Sequence, residues 1–227
     1  MAQWTEGTIP VDGLGVVSAQ VSKAPGPGMP ALVLTHGAGG DTDEATLASL
    51  HLRVVEELRW SAVRFRFPYR DAGKKRPDRP AVLEATWRAV VDWARSDAGL
   101  AASHLAAGGR SMGGRIASMV AAAGAPVDAC VFLAYPLHPS GNREKTRTAH
   151  LADIPCPMLF VAGDRDSLSH LDLLEPVVER LGAGAALHVV AEGDHSFRVR
   201  KSSGRTTADA HAEVVDTVLD WLAARGW

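Results

Sequence analysis

A serine flanked by two glycines near the middle of the chain restricts the possible folds more than any other stretch. A short apolar run leads into Gly109-Arg110-Ser111-Met112-Gly113, and a helix pattern follows. This is the G-x-S-x-G pattern of a nucleophile elbow, in which the serine occupies a tight turn between a strand and a helix. Glycines are expected two residues to either side, because strand and helix cross too closely there for side chains.

The pentapeptide by itself is weak support for a reactive serine, because a chain with 22 glycines matches such a pattern by chance. The strand pattern before it and the helix pattern after it supply the context that the motif requires. A serine hydroxyl is also a poor nucleophile without an adjacent base. The rest of the chain must therefore provide a base, an acid and a site for a developing oxyanion.

Strand and helix patterns alternate along the chain from residue 31 onward, after a hairpin pattern at 4–11 and 16–21. Besides the strand and helix around the elbow, strands are predicted at 31–35, 62–67, 128–134, 157–163 and 186–190, and helices at 47–58, 81–96, 168–181 and 208–225. This alternation predicts an α/β fold with a mostly parallel sheet, helices on both faces and ligands at the carboxyl ends of the strands. We expect one domain over residues 1–227 with a short irregular insert at 135–157.

Composition excludes several classes of protein. The 227 residues are 46% hydrophobic with a formal net charge of −2, which allows one sizeable core and gives no field for nucleic-acid or membrane binding. Cys130 and Cys156 lie in or beside apolar runs and are expected to be buried, reduced thiols. Neither a signal-peptide pattern nor an apolar stretch of about 20 residues is found, so we expect a cytoplasmic protein. A monomer and a homodimer both stay open.

Three further loops follow predicted strands and carry residues suited to catalysis. The first is His36-Gly37-Ala38-Gly39-Gly40, whose small residues allow a backbone amide to approach a reacting carbonyl oxygen. We assign the oxyanion hole to the N–H groups of Ala38 and Met112. His36 is expected to pack or hydrogen-bond beneath this loop, because the base of such a site comes later in the chain.

The acid and the base are expected in the other two loops. Gly163-Asp164-Arg165-Asp166 follows a buried strand, and either aspartate can orient a histidine. We favour Asp166, three residues beyond the glycine, with Asp164 as the alternative. His195 lies in a Gly-Asp-His-Ser turn after the last strand. The order Ser111, Asp166, His195 is one of the known chain orders of a serine–histidine–aspartate triad.

These four motifs resemble those of the α/β-hydrolase superfamily over nearly the whole chain. More narrowly, segments 64–69, 109–115 and 135–139 are similar to a small dienelactone-hydrolase-like branch that includes testis-expressed protein 30 and the hydrolase-like domain of a histone-acetyltransferase complex subunit. The resemblance implies a three-layer sandwich around an eight-stranded sheet with an antiparallel second strand, the triad above, and no metal or organic cofactor. Dienelactone hydrolases proper use a cysteine nucleophile, so Ser111 departs from them and their substrate is not carried over.

The residues therefore predict a serine hydrolase that cleaves a small carboxylic ester or a related acyl substrate. The insert at 135–157 is too short for a helical cap, so we expect an open, shallow site. The candidates for its lining are Gly37, Phe67, Tyr69, Leu137 and Phe197.

Several alternatives stay open. The same triad also suits acyl transfer and peptide or thioester cleavage, and the fold is compatible with a catalytically silent binding or scaffold protein. Arg110 and Arg115 are candidates for binding an acidic substrate group, although Arg115 is more typical of a helix-surface or structural residue. The basic loop at 70–79 is either a phosphate or polyanion site or a solvated loop.

Overall fold

Eight strands form one sheet in the computed structural model of the chain, which describes residues 4–26, 28–96 and 99–227. In chain order the strands are β1 (Thr5–Val11), β2 (Gly15–Ser22), β3 (Ala31–Thr35), β4 (Ser61–Phe65), β5 (Leu105–Arg110), β6 (Ala129–Leu133), β7 (Met158–Gly163) and β8 (Ala185–Val190). Across the sheet their order is β1-β2-β4-β3-β5-β6-β7-β8. The strand that leads to Ser111, β5, therefore lies near the middle of the sheet.

Strand directions follow the predicted pattern. β2 runs antiparallel to both of its neighbours, β1 and β4, and the remaining pairs are parallel. Because parallel strands end at the same edge of a sheet, the loops after β3, β5, β7 and β8 meet there. The predicted eight-stranded, mostly parallel sheet with an antiparallel second strand is confirmed.

Helices cover both faces of the sheet. They are α1 (Ala45–Arg53), α2 (Pro68–Asp71), α3 (Pro80–Arg95), α4 (Met112–Ala122), α5 (Leu171–Leu181) and α6 (Thr207–Ala223). One core joins α3, α4 and α5 to strand residues such as Val33 and Phe132, and a second core joins α1 and α6 to residues such as Leu32 and Val131. Successive strand residues point to opposite faces, so each buried strand contributes to both cores. The three-layer α/β sandwich is therefore confirmed.

Two differences between the predicted and observed element boundaries change the type of local structure. The strand predicted at 62–67 ends at Phe65, and Pro68 begins the short helix α2, where a loop was expected. Proline is well suited to this first helical position because its missing N–H would have no partner there. The helix predicted at 47–58 is α-helical only to Arg53 and continues as a π-helical turn, Val54–Leu58.

The insert at 135–157 is irregular apart from a 3₁₀ turn, Ala149–Asp153. The Tyr135 hydroxyl donates to the Arg147 carbonyl at 2.8 Å, and His150 Nε2 lies 2.7 Å from the Ser118 hydroxyl on α4. Burial, together with the nearby positive charge of Arg115, lowers the pKa of His150. These contacts hold the insert against α4.

The two cysteines, Cys130 and Cys156, are buried free thiols that form no disulfide, and their sulfur atoms lie 3.8 Å apart. The prediction of buried thiols is confirmed.

Within the described ranges, no helix has both the length and the apolar character needed to cross a lipid bilayer.

The aromatic ring of Phe132 provides a test of the assigned core. Its centroid lies 5.4 Å from that of Tyr135 and 4.9 Å from that of Phe160, and the residue is 0% exposed. We expect Phe132→Ala to lower the free energy of unfolding by about 3–5 kcal/mol, because it removes buried apolar surface and leaves a cavity. The control Val16→Ala, at a position 55% exposed, should change it by less than about 0.5 kcal/mol. Urea unfolding measures both, and equal effects would contradict this core.

Candidate active site

Ser111 occupies the turn between β5 and α4 in a backbone conformation that residues other than glycine rarely adopt. Its φ is 48° and its ψ is −112°. Its amide donates to the Leu133 carbonyl at 2.8 Å, so the end of β6 fixes the turn from one side. Met112 begins α4 directly afterwards. The structure therefore shows the strained strand–turn–helix connection that the motif requires.

Close packing of α4 and β3 against β5 explains the glycines on either side of Ser111. A Cβ atom at Gly109 would lie 2.3 Å from the Thr35 carbonyl oxygen, and the φ of Gly109 is 151°. A Cβ atom at Gly113 would lie 2.7 Å from the carbonyl oxygens of Thr35 and His36. The predicted steric reason for the glycines is confirmed, and the atoms that exclude side chains belong to the end of β3 and the residue after it.

His195 connects the Ser111 hydroxyl to a buried carboxylate. Its Nε2 lies 3.0 Å from Ser111 Oγ, and its Nδ1 lies 2.9 and 2.8 Å from the two carboxylate oxygens of Asp166. The Asp166 side chain is 0% exposed and the His195 side chain is 25% exposed. An ionised carboxylate only accepts hydrogen bonds, so Nδ1 carries the hydrogen and donates to Asp166. This tautomer leaves Nε2 free to accept the hydrogen of the serine hydroxyl.

The loop after β7 decides between the two candidate aspartates. The Leu168 amide donates to Asp166 Oδ1 at 2.8 Å, which fixes this carboxylate beneath the imidazole. Asp164 is exposed at the surface. The structure therefore brings Asp166, and not Asp164, to His195.

The loop after β8 presents the imidazole through a compact turn. The Asp194 carboxylate accepts hydrogen bonds from the amides of Ser196 and Arg198 at 2.7 and 2.9 Å. A Cβ atom at Gly163 would lie 2.1 Å from the Gly193 carbonyl oxygen, so this loop and the loop after β7 touch backbone to backbone. Asp194 is a turn residue, and it determines the direction in which His195 leaves the loop.

The glycine-rich loop after β3 approaches Ser111 closely. A Cβ atom at Gly37 would lie 3.4 Å from the Ser111 Cβ atom. Ala38 is exposed and lines the same cleft as Ser111. Met112 stands at the first position of α4, where the amides have no partner within the helix. Of the two residues assigned to the oxyanion hole, Met112 therefore directly follows the serine and Ala38 lines the same cleft.

His36 is fully buried beneath this loop, as predicted. Its Nδ1 donates to the Gly37 carbonyl at 2.9 Å, and its Nε2 accepts a hydrogen bond from the Phe67 amide at 3.3 Å. Burial lowers the pKa of His36 and outweighs the Gly37 carbonyl, which raises it. His36 is thus a neutral, structural imidazole with both ring nitrogens occupied.

A cleft of about 580 Å³ opens beside Ser111. Its lining residues come from the loops after β3, β5, β7 and β8 and from the start of α1: Gly37, Ala38, Gly39, Gly40, Asp41, Glu44, Leu47, Arg110, Ser111, Leu168, His195, Ser196 and Arg198. Sequence reasoning did not assign Asp41, Glu44, Leu47, Leu168, Ser196 or Arg198 to this lining. For Leu168, Ser196 and Arg198 the available signal was their position, because each lies within three residues after a predicted triad residue on the same loop.

Arg110, which directly precedes Ser111 in the chain, is a positively charged residue of the cleft lining. Its guanidinium lies 5.4 Å from the centroid of the Phe197 ring, and Nη2 donates to Ser196 Oγ at 3.2 Å. Nη1 is buried without a hydrogen-bond partner in the described part of the chain. Burial lowers the pKa of Arg110, and the nearby Glu44 carboxylate opposes this shift.

Four residues predicted to line the site do not reach the cleft. Phe67, Tyr69, Leu137 and Phe197 are 0–1% exposed and belong to the core, so this part of the prediction is wrong. Gly37 does line the cleft. The error has a physical cause, since an aromatic residue at the end of a strand gives the same pattern whether its ring faces a ligand or packs beneath a loop.

The insert at 135–157 and the basic loop at 70–79 both lie outside the cleft lining. In the basic loop, Lys74, Lys75 and Arg76 are exposed, while the Arg70 side chain points inward and binds the Asp41 carboxylate.

Among the described residues, no group of three or more histidine, cysteine, aspartate or glutamate side chains is arranged to hold a metal ion.

Comparison with known proteins agrees with this architecture. The family model described as the alpha/beta hydrolase domain matches residues 28–223. Because the match spans most of the chain, this protein belongs to the alpha/beta hydrolase family.

Solved structures share the fold at low sequence identity. A dienelactone hydrolase from Anabaena variabilis is 17% identical, with a TM-score of 0.77 over 98% of this chain and 98% of that chain. An alpha-beta serine hydrolase homologue from Coxiella burnetii is 19% identical, with a TM-score of 0.74 over 96% and 98% of the two chains. A serine hydrolase without a lid from Xanthomonas campestris is 20% identical, with a TM-score of 0.68 over 96% and 95%. The dienelactone-hydrolase-like fold inferred from the motifs is therefore confirmed.

Gly109→Ala tests the steric account of the elbow. The new Cβ atom would collide with the Thr35 carbonyl oxygen in a backbone conformation that alanine rarely adopts. We expect a loss of about 1–3 kcal/mol or more in the free energy of unfolding, because neither β3 nor β5 has room to move. Gly184→Ala is the matched control, since a Cβ atom at that position would meet nothing within 4 Å. Thermal and urea unfolding compare the two variants, and similar stabilities would refute the close crossing.

Proposed function

We propose that this protein is a serine hydrolase that cleaves a small carboxylic ester or related acyl substrate through an acyl-enzyme intermediate. One observation supports this above all others: the row of hydrogen-bonding contacts from Asp166 through His195 to Ser111, at 2.8 and 3.0 Å. These three side chains come from separate loops, and the row ends at a cleft of about 580 Å³. A structural role explains neither the strained backbone of Ser111 nor its exposure to that cleft.

Each proposed residue has a distinct task in the reaction. His195 Nε2 accepts the hydroxyl proton as Ser111 Oγ forms a bond to the substrate carbonyl carbon. Asp166 holds the imidazole in the required tautomer and stabilises its protonated form. The proton then passes from His195 to the departing alkoxide, which leaves as the alcohol. Water, deprotonated by the same imidazole, attacks the acyl-enzyme and releases the acid.

The oxyanion that forms in each half-reaction is proposed to bind the amides of Ala38 and Met112. Removing one such donor costs an enzyme about 10²–10³ in turnover. The start of α4 adds the positive end of a helix dipole at the same place. The glycine-rich loop is therefore as important to this proposal as the triad.

The cleft suits a small acyl substrate. It has no lining from the insert at 135–157, and its side chains are a mixture of polar, charged and apolar groups, with Leu47 and Leu168 as the larger aliphatic members. The serine hydrolase without a lid from Xanthomonas campestris has a similar fold. Arg110 and Arg198 place positive charge in the cleft lining, so the preferred substrate is expected to depend on the charge of the acyl group as well as on its length.

Ser111→Ala gives the first test of the proposed nucleophile. A fluorophosphonate probe should label the unmodified protein and leave Ser111→Ala unlabelled, because the probe forms a bond to the serine oxygen. Hydrolysis of p-nitrophenyl esters of increasing acyl length should fall by about 10⁴-fold or more in the variant. Ser103→Ala, at an exposed serine outside the cleft, is the control and should retain labelling and turnover.

If the folded protein shows neither labelling nor turnover above that of Ser111→Ala, the hydrolase proposal fails. The catalytically silent scaffold then becomes the better interpretation. Transfer of the acyl group to an added alcohol or amine would instead point to an acyltransferase that uses the same intermediate.

The two aspartates of the loop after β7 offer a matched pair of variants. Asp166→Asn should lower kcat by about 10³–10⁴-fold, because an amide no longer selects the tautomer or stabilises the imidazolium. Asp164→Asn should leave kcat within about two-fold, since this carboxylate is exposed and does not contact His195. Steady-state kinetics with one p-nitrophenyl ester compares them, and a reversed ranking would reject Asp166 as the acid.

A further inference from the structure

The segment at 64–70, here called the bracing segment, contacts the glycine-rich loop at both of its ends. The loop, taken as residues 36–42 and called the oxyanion loop, carries Ala38 at its exposed middle. The bracing segment contains the end of β4 and most of α2. Two of its aromatic residues, Phe67 and Tyr69, are among those that the sequence predicts in the cleft lining. The structure gives them a different position, against the back of the oxyanion loop.

Two arginines of the bracing segment bind one carboxylate of the loop. Arg66 Nε donates to Asp41 Oδ1 at 2.5 Å, and Arg70 Nη2 donates to Asp41 Oδ2 at 3.1 Å. The Asp41 carboxylate also accepts a hydrogen bond from the Thr42 amide at 2.7 Å. Both of its oxygens are therefore engaged, and the direction of the chain at the end of the loop is fixed from two sides.

The charge of Asp41 persists over a wide range of pH. Partial burial raises the pKa of Asp41, but hydrogen bonds from Arg66, Thr42 and Arg70 outweigh it and lower the pKa to about 2. The carboxylate is therefore ionised at every pH at which an esterase is normally assayed. A clamp of this kind acts as a permanent part of the fold.

A third arginine holds the next residue of the loop. Arg64 is 0% exposed, and its Nη1 donates to the Thr42 carbonyl at 2.6 Å. The face of its guanidinium is covered by the Trp4 ring, whose centroid lies 4.9 Å away. Burying a cation is costly, and the hydrogen bond to the Thr42 carbonyl compensates part of that cost while it adds a contact to this end of the loop.

The start of the loop is fixed in the same way. The Phe67 amide donates to His36 Nε2, and the rings of Phe67 and Tyr69 meet the imidazole edge-on, with centroids 5.4 and 5.8 Å from it. Between these two anchored ends, Ala38 and Gly39 are exposed and Gly39 has a φ of 72°. Within the middle of the loop the Gly40 amide donates to the Gly37 carbonyl at 3.1 Å. The anchored ends fix the path of the chain on either side of this turn.

We propose that Asp41, held by Arg66 and Arg70, is a positioning residue that aims the Ala38 amide at the substrate oxygen. This inference rests on the proposed hydrolase function, and it extends the machinery beyond the triad and the two amides. Asp41 lines the cleft, but its carboxylate is occupied by Arg66, Arg70 and the Thr42 amide rather than by a triad residue. In this proposal it acts through the path of the backbone between residues 38 and 41.

The experiment compares Asp41→Asn and the double variant Arg66→Gln/Arg70→Gln with the unmodified protein. We expect kcat for a p-nitrophenyl ester to fall by about 10-fold while KM stays within about two-fold, because the oxyanion contact matters most in the transition state. Inhibition by phenylboronic acid, whose adduct with the serine mimics the tetrahedral intermediate, should weaken by a similar factor. Hydrogen–deuterium exchange should become faster at residues 38–41. Arg66→Lys, which keeps the positive charge, should have a higher kcat than the double variant Arg66→Gln/Arg70→Gln.

Asp216→Asn is the matched control. Asp216 is bound by Arg53 on the protein surface and does not line the cleft, so kcat, boronate affinity and loop exchange should stay unchanged. A lower melting temperature in Asp41→Asn with unchanged kcat and boronate affinity would show a merely structural ion pair and would overturn the proposal.

Failure of the hydrolase proposal can be told apart from failure of the clamp. If the unmodified protein has no turnover that depends on Ser111, the proposed function is rejected, and the role of Asp41 in aiming Ala38 at a substrate is rejected with it. Unchanged exchange at residues 38–41 in Asp41→Asn rejects the clamp whatever the activity. The clamp is also rejected if the unmodified protein has turnover that depends on Ser111 and Asp41→Asn shows faster exchange but an unchanged kcat.

Discussion

The close crossing of β3, β5 and α4 is the constraint on which the rest of the site depends. The carbonyl of Thr35 lies where a side chain at Gly109 or Gly113 would otherwise be, so the chain can turn sharply only around glycine. Ser111 takes up the strain of that turn with a φ of 48°. A strained residue of this kind persists only where its surroundings hold it, and here the strands on both sides of β5 do so. The serine hydroxyl is consequently held at the carboxyl ends of the strands, beside the cleft.

The other functional groups are held by the same means, through hydrogen bonds from backbone amides and through ion pairs. The Leu168 amide fixes Asp166, the Asp194 carboxylate shapes the turn before and after His195, and the Asp41 clamp holds the glycine-rich loop. Each of these loops therefore both lines the cleft and carries contacts that anchor it to the rest of the fold.

Sequence patterns located the strands well, because a run of apolar residues that is buried on both faces has few alternatives in an α/β protein. The two aspartates beside Gly163 could not be separated by pattern alone, since both follow a buried strand. Phe67 and Tyr69 were misplaced for a related reason. Their rings pack against His36 beneath the loop, and burial in a core produces the same apolar pattern as a substrate pocket.

The sequence by itself determined the order of the elements, the identity of the elbow and the loops in which an acid and a base had to lie. These follow from periodicity and from steric limits that act over a few residues. Only the tertiary structure decided that Asp166 faces His195, that the aromatic residues support the loop, and that Arg66 and Arg70 share Asp41. The residues of each such pair are 25 or more positions apart in the chain. Which residues come into contact therefore depends on how the strands and loops pack in three dimensions.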